Sequence, residues 1–227
     1  MLSQAGRTML IRSVGRSIPT YQMSIHMFPK SICKTLNSSF RDFWWGKSNE
    51  QRHKLYMKSW KTICQPKKDG GLGLRLMENM NMALIAKTGW EMSKSQSNSI
   101  WQHLLSKKYL KSSVFETTIS KATDSPFWKG LLTTRPLLKK GTCFKITNGL
   151  SVKVWSDPWI PTLEGFKPFP LDHTIDHSNN MKVSELISQS NGSWNIPILV
   201  SLFQQDSINE ILKIPLPLSN QSSDKLV

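Results

Sequence analysis

The chain has 227 residues, with 30 Lys and Arg against 15 Asp and Glu, a formal net charge of +15. Nine Trp, nine Phe and 38% hydrophobic residues exclude a wholly disordered chain, and the longest apolar run, 196–203, broken by Pro197 and Ser201, falls far short of the ~20 residues of a membrane span. Three cysteines (Cys33, Cys64 and Cys143) form no CxxC pair and make no disulfide framework, which favours a reducing compartment.

Residues 4–18 carry the pattern of an amphipathic helix. At ~100° per residue, Leu10, Ile11, Val14 and Ile18 share one stripe, Arg12 and Arg16 project from the other side, and Arg7 borders the stripe. Ser3 is the expected N-cap, and Pro19 is expected to stop the helix because its ring cannot continue the hydrogen-bond ladder. Three readings of this acid-free segment stand open. It docks to a phosphate backbone, it is a solvated surface whose arginines serve solubility, or it is a mitochondrial transit peptide.

A second helix is expected over 31–45, where Ile32, Leu36, Phe40 and Trp44 recur at i+4 and Gly46 follows as a left-handed C-cap. An aromatic stripe at this spacing suits core packing better than base stacking. Residues 54–58 alternate like a short edge strand, and Ser59 opens a brief helical turn through Cys64. The basic turn 66–73 (PKKDGGLG) lacks the spacing of a phosphate-binding glycine loop. Its glycines supply positive φ, and Lys67 and Lys68 meet phosphate as point charges.

The Met-rich stretch 76–94 reads as a helix, Ser95 to Ser99 as a polar link, and 99–110 as a helix with Ile100, Trp101, Leu104 and Leu105 facing inward. Asp124-Ser125-Pro126 reads as a cap followed by Pro at the first helical position, and Pro136 is expected to kink or divide the helix that follows. Residues 144–155 alternate on both sides of Asn148-Gly149. That pattern predicts a β-hairpin over about 143–155 with a glycine bulge at Gly149, placing Phe144, Ile146, Leu150, Val152 and Val154 on one face. Beyond Pro161 the chain is polar, and its apolar clusters at 183–187 and 196–203 are expected to form short, loosely packed helices.

The fold class is therefore mainly α: a small helical bundle, one hairpin and a loosely packed C-terminal segment. Three regions follow: 1–95, basic; 96–161, helical with the hairpin; and 162–227, acidic and partly disordered. Charge is uneven across the chain. Residues 1–75 hold 14 Lys and Arg against 3 acids, residues 76–145 hold 11 against 4, and residues 146–227 hold 5 against 8. Such a basic field fits a polyanion, because each phosphate neutralised releases counterions.

Catalytic patterns are missing from the sequence. Two-metal nucleotide chemistry needs clustered carboxylates, and no Asp-Asp pair occurs. No Gly-x-Ser-x-Gly elbow occurs either. His173 and His177 have the i, i+4 spacing zinc uses, but they follow Pro168 and Pro170 with no cysteine or further histidine nearby, so a solvated loop is the better reading. We expect no catalytic residues, metal, cofactor, small-molecule substrate or membrane partner.

The ordered strings LSQAGRTMLIRSVGRSIPTYQMS at 2–24, FWWG at 43–46, SWKTICQPKKDGGLGLR at 59–75 and NGLSVKVWSDPWIP at 148–161 resemble plant non-LTR (LINE-type) retrotransposon reverse transcriptases, in the region between the catalytic palm and the zinc-binding and ribonuclease H regions. Open reading frames of the same origin in plant mitochondrial genomes are similar. The resemblance implies that both sets of catalytic carboxylates lie outside this chain and that 1–95 corresponds to the thumb and connector, which hold the primer–template duplex. Arg7, Arg12 and Arg16, with Lys67 and Lys68, are then the expected contacts to the backbone of RNA, DNA or an RNA–DNA hybrid. The same origin implies a nuclear or cytoplasmic protein, with the mitochondrion as the alternative.

Overall fold

The computed structural model describes residues 2–46, 56–94, 99–111, 113–172, 180–188, 192–217 and 223–227. It is mainly helical with a small two-stranded antiparallel sheet, the expected class. Two compact units emerge, Met1–Leu138 and Lys139–Val227.

The first unit opens with α1 (Gln4–Leu10), whose N-terminus is capped by the Ser3 hydroxyl accepting from the Gly6 N–H at 3.1 Å. It runs through one π-helical turn (Ile11–Gly15), closed by the Arg16 N–H donating to the Ile11 carbonyl at 3.0 Å, into α2 (Ser17–Ile25). Pro19 does not stop the chain. The wide turn restarts the helix at Ser17, so Pro19 falls in the first turn, where a missing N–H costs nothing. The apolar stripe is overturned as well: Leu10, Val14 and Ile18 are exposed, and only Ile11 is buried. The inward side carries Ile11, Gly15 and Met23, and a Cβ on Gly15 would lie 2.9 Å from the Phe40 ring. Close approach at that glycine decides which side turns in.

Helix α3 (Lys30–Trp45) ends, as expected, at Gly46 with φ +67°. Its buried line runs through Cys33 and Trp44, with Leu36 and Phe40 partly covered, while Ile32 is exposed. The expected edge strand at 54–58 lies partly outside the described residues, and Met57 and Lys58 form a bend. Helix α4 (Trp60–Ile63) is capped by Ser59. Ile11, Trp44, Trp60, Ile63 and Leu74 make one core cluster.

Helix α5 (Met77–Ser93) is central to the unit, packing on α2, α3 and, through Gly89, on the following helices. Buried Asn81 fixes the α2–α3 corner, donating to the Met23 and His26 carbonyls (2.7 and 2.8 Å) and accepting from the Phe28 N–H (2.7 Å). Helix α6 (Ile100–Leu105) departs from expectation, since Ile100, Trp101 and Leu104 are exposed. Gln102 is the buried residue, held by Ser99 and the Glu91 carbonyl, and this rotates the helix. The polar link 95–98 is outside the described residues. Helices α7 (Pro126–Leu132) and α8 (Arg135–Gly141) are divided next to Pro136, and Ser125 caps α7 ahead of Pro126. Trp128 packs face to face with Tyr109, ring centroids 4.5 Å apart.

In the second unit, β1 (Phe144–Lys145) pairs antiparallel with β2 (Lys225–Leu226). This corrects the expected pairing within 143–155: residues 152–154 bond instead to 181–183, through Val183 N–H to the Val152 carbonyl and Val154 N–H to the Met181 carbonyl. Gly149 does adopt φ +66°, but Leu150 is exposed while Ile146, Val152 and Val154 are buried. Asp224 takes the place of a hairpin partner, its carboxylate accepting from the N–H groups of Thr147, Gly149 and Ser151. The C-terminal segment also packs more tightly than expected. Val183, Leu186, Leu199 and Ile211 are fully buried and Phe203 is 1% exposed, sharing one core with Trp159 and Ile160. Helices α9 (Ile196–Leu202) and α10 (Gln205–Leu212) supply part of it.

Candidate nucleic-acid interface

The basic residues singled out in the sequence sit on two neighbouring pieces of the first unit, the α1–α2 rod and the turn that follows α4. Backbone bonds close that turn: Leu72 N–H donates to the Ile63 carbonyl (2.8 Å) and Gly73 N–H to the Gln65 carbonyl (2.9 Å). Gly70 and Gly73 have the positive φ expected of them, while Gly71 serves close approach, a Cβ there falling 2.1 Å from the Gln65 carbonyl oxygen. Lys67 and Lys68 stand exposed on a single 3₁₀ turn, Lys67–Asp69.

The three arginines of the rod are placed differently. Arg7 is half-buried, its Nη1 donating to the Trp44 carbonyl at 3.2 Å, and a Cβ on Gly46 would overlap the guanidinium. It ties α1 to the end of α3. Arg12 is exposed, with Nη2 donating to the Leu72 carbonyl at 3.2 Å, which holds the glycine turn against the rod. Arg16 is half-buried, and its Nε is shielded from solvent with no hydrogen-bond partner.

A fourth arginine joins them. Arg75 is exposed two residues past Gly73, and it bears electrostatically on Arg16 together with Arg12. Burial, then Arg75, then Arg12 pull the Arg16 guanidinium below its ordinary pKa. Cys64 faces the same group, but burial pushes its thiol up to about 11, so it is neutral near pH 7 and offsets none of this charge. Sequence reasoning missed Arg75. The available signal was the alternation Leu74-Arg75-Leu76, in which Leu74 is 1% exposed and Leu76 is partly buried, leaving Arg75 on the outer side.

Among the described residues no three His, Cys, Asp or Glu side chains gather as a metal site; the candidate His173 and His177 lie outside them. No helix of the described residues is long and apolar enough to cross a membrane. The chemistry of this surface is that of positive charge presented by hydrogen-bonded helix and turn backbone.

Two relatives from Arabidopsis thaliana are similar to the chain. It is 34% identical over 183 residues, 77% of its length, to the putative ribonuclease H protein At1g65750, of which it spans 29%. It is 34% identical over 146 residues, 63% of its length, to the uncharacterized mitochondrial protein AtMg00310, of which it spans 93%. No family model matches the chain, and no solved structure matches it.

Proposed function

We propose, from the premise that the chain belongs to the family of the Arabidopsis thaliana uncharacterized mitochondrial protein AtMg00310, that it is a non-catalytic portion of a retrotransposon reverse transcriptase polyprotein that grips nucleic acid by its backbone. The observation that carries this reading is the placement of charge. Residues 1–75 hold 14 Lys and Arg against 3 acids, and Arg12, Lys67, Lys68 and Arg75 stand exposed, with Arg16 within electrostatic reach of Arg12 and Arg75. Cations presented on a helix and a rigid turn neutralise phosphates whatever the base sequence, and the counterions released drive association. Similarity to a protein named for ribonuclease H is consistent with a retroelement origin, and the reading takes the ordered motifs, which resemble the thumb and connector, as the matching region.

A fluorescence titration with a short RNA–DNA hybrid, repeated from low to high salt, tests the reading. Four phosphate contacts give a slope of log K on log salt of roughly −3 to −4. Binding that ignores salt, or no binding at low salt, rejects it.

A second reading, an interaction protein whose basic surface meets acidic proteins, draws on the exposed apolar side chains Leu10, Val14, Ile18 and Tyr21 along the same rod. Competition separates the two, because unlabelled hybrid displaces labelled hybrid only under the first.

A further inference from the structure

We propose that the outward side of the α1–α2 rod docks a second copy of this chain, rod against rod. The proposal draws on packing alone and goes beyond the nucleic-acid reading. With Ile11 and Met23 buried on the inward side, two neighbouring i+4 rows face out. Leu10, Val14 and Ile18 make one row, and all three are exposed. Met9 and Tyr21 stand at the ends of the other, 60% and 72% exposed, with exposed Ser13 and Ser17 between them. An i+4 row of an α-helix drifts ~40° per step. The wider turn at Ile11–Gly15 draws both rows back along the rod.

This face has the shape of its own complement. The branched row is a ridge, and the two serines open a groove between Met9 and Tyr21. A two-fold axis lays the ridge of each copy into the groove of the other, so both are filled at once. The serine hydroxyls already donate within the rod, Ser13 to the Met9 carbonyl and Ser17 to the Val14 carbonyl, both at 2.8 Å. An apolar partner therefore leaves no hydroxyl unpaired there. Charge selects against other occupants. Neither row contains a charged residue. Of the rod's arginines, Arg7 donates to the Trp44 carbonyl, Arg12 donates to the Leu72 carbonyl and Arg16 is half-buried. An acidic protein or an anionic bilayer gains only apolar contact from this face.

At these exposures the five apolar side chains leave roughly 500–600 Å² per copy, the upper end for one patch on a monomer. Pairing two such faces buries about 1,100 Å², just past the ~1,000 Å² that a specific interface needs. The dimer is then a weak one, with a dissociation constant in the micromolar range. Well below that range the chain is monomeric, with Ile18 in solvent.

Sedimentation velocity of the full chain from about 1 to about 200 µM tests this in wild type, Ile18→Glu and Ser17→Phe. We expect a reversible dimer that added salt does not weaken, because no charge pair crosses the interface. Ile18→Glu should raise the dissociation constant roughly tenfold or more. Ser17→Phe should do the same by filling the groove, although it adds apolar surface. A wild type that stays monomeric throughout overturns the proposal, as does a dimer that Ile18→Glu leaves unchanged or Ser17→Phe tightens. A monomer that floats with phosphatidylcholine vesicles names lipid as the occupant and overturns it too. Should Ser17→Phe disturb the fold by circular dichroism, the solvent-exposed Ile18→Glu carries the comparison alone.

Discussion

The carboxylate of Asp224 accepts the backbone N–H of Gly149 at 3.0 Å, across 75 positions of sequence. Thr147 and Ser151 each add a backbone N–H and a hydroxyl to the same carboxylate. Burial pushes the Asp224 carboxyl up, but these donors outweigh it and hold the pKa below its ordinary value. The sign follows from linkage. A carboxyl depressed in the folded state contributes stability above its unfolded pKa, ~3.9, and that contribution is lost as pH falls through the folded value. Asp224→Asn should therefore cost about 1–2 kcal/mol at pH 7 after discounting for partial exposure. The gap in melting temperature from wild type should close toward pH 2–3, and an equal gap at both pH values would refute the clasp.

Asn81 is a second clasp, holding three backbone groups at the α2–α3 corner. Asn81→Ala removes the partner of one buried carbonyl and of a part-buried carbonyl and N–H, and should destabilise by about 2–3 kcal/mol. Urea unfolding measures it, and a loss below ~1 kcal/mol would mean that water replaces the amide.

Local signals in the sequence held where the physics is local. Ser3, Ser125-Pro126 and Gly46 mark helix ends through bonds and φ angles set within four residues, and each appears as expected. The reading failed where distant partners decide. The π turn at 11–15 shifts helix register by one residue, so neither the stripe through Ile18 nor the stop at Pro19 could be foreseen from a 3.6-residue period. The strand at 144–145 finds its partner at 225–226, beyond the reach of alternation and turn chemistry. Of the candidate interface, Arg12, Arg16, Lys67 and Lys68 were legible from charge. The outward position of Arg75 was legible in the Leu74-Arg75-Leu76 alternation, but its relation to Arg16 was not, because that depends on the packing of the glycine turn on the rod.

The outward position of Ile18, 74% exposed, has its own consequence. Ile18→Ser should leave stability within about 0.5 kcal/mol of wild type. A cost above ~2 kcal/mol by denaturant titration would show the side chain buried.

The thiols give a further check. Burial raises the pKa of all three cysteines, Cys64 and Cys143 to about 11. Only the thiolate attacks a disulfide reagent, so at pH 8 Cys64 and Cys143 of the folded protein should react roughly a hundredfold more slowly than free cysteine. Denaturant should then release all three thiols. Rapid modification of the folded chain would contradict the packing around Cys64 and Cys143.

The central claim is that the first 75 residues hold a phosphate backbone by charge. The salt dependence of hybrid binding, compared between wild type and Arg12→Ala/Arg16→Ala, addresses it most directly. The expected result is a steep slope in wild type that flattens by about two in the double variant, whose fold is retained by circular dichroism. Identical affinity and slope in the two folded proteins would contradict it.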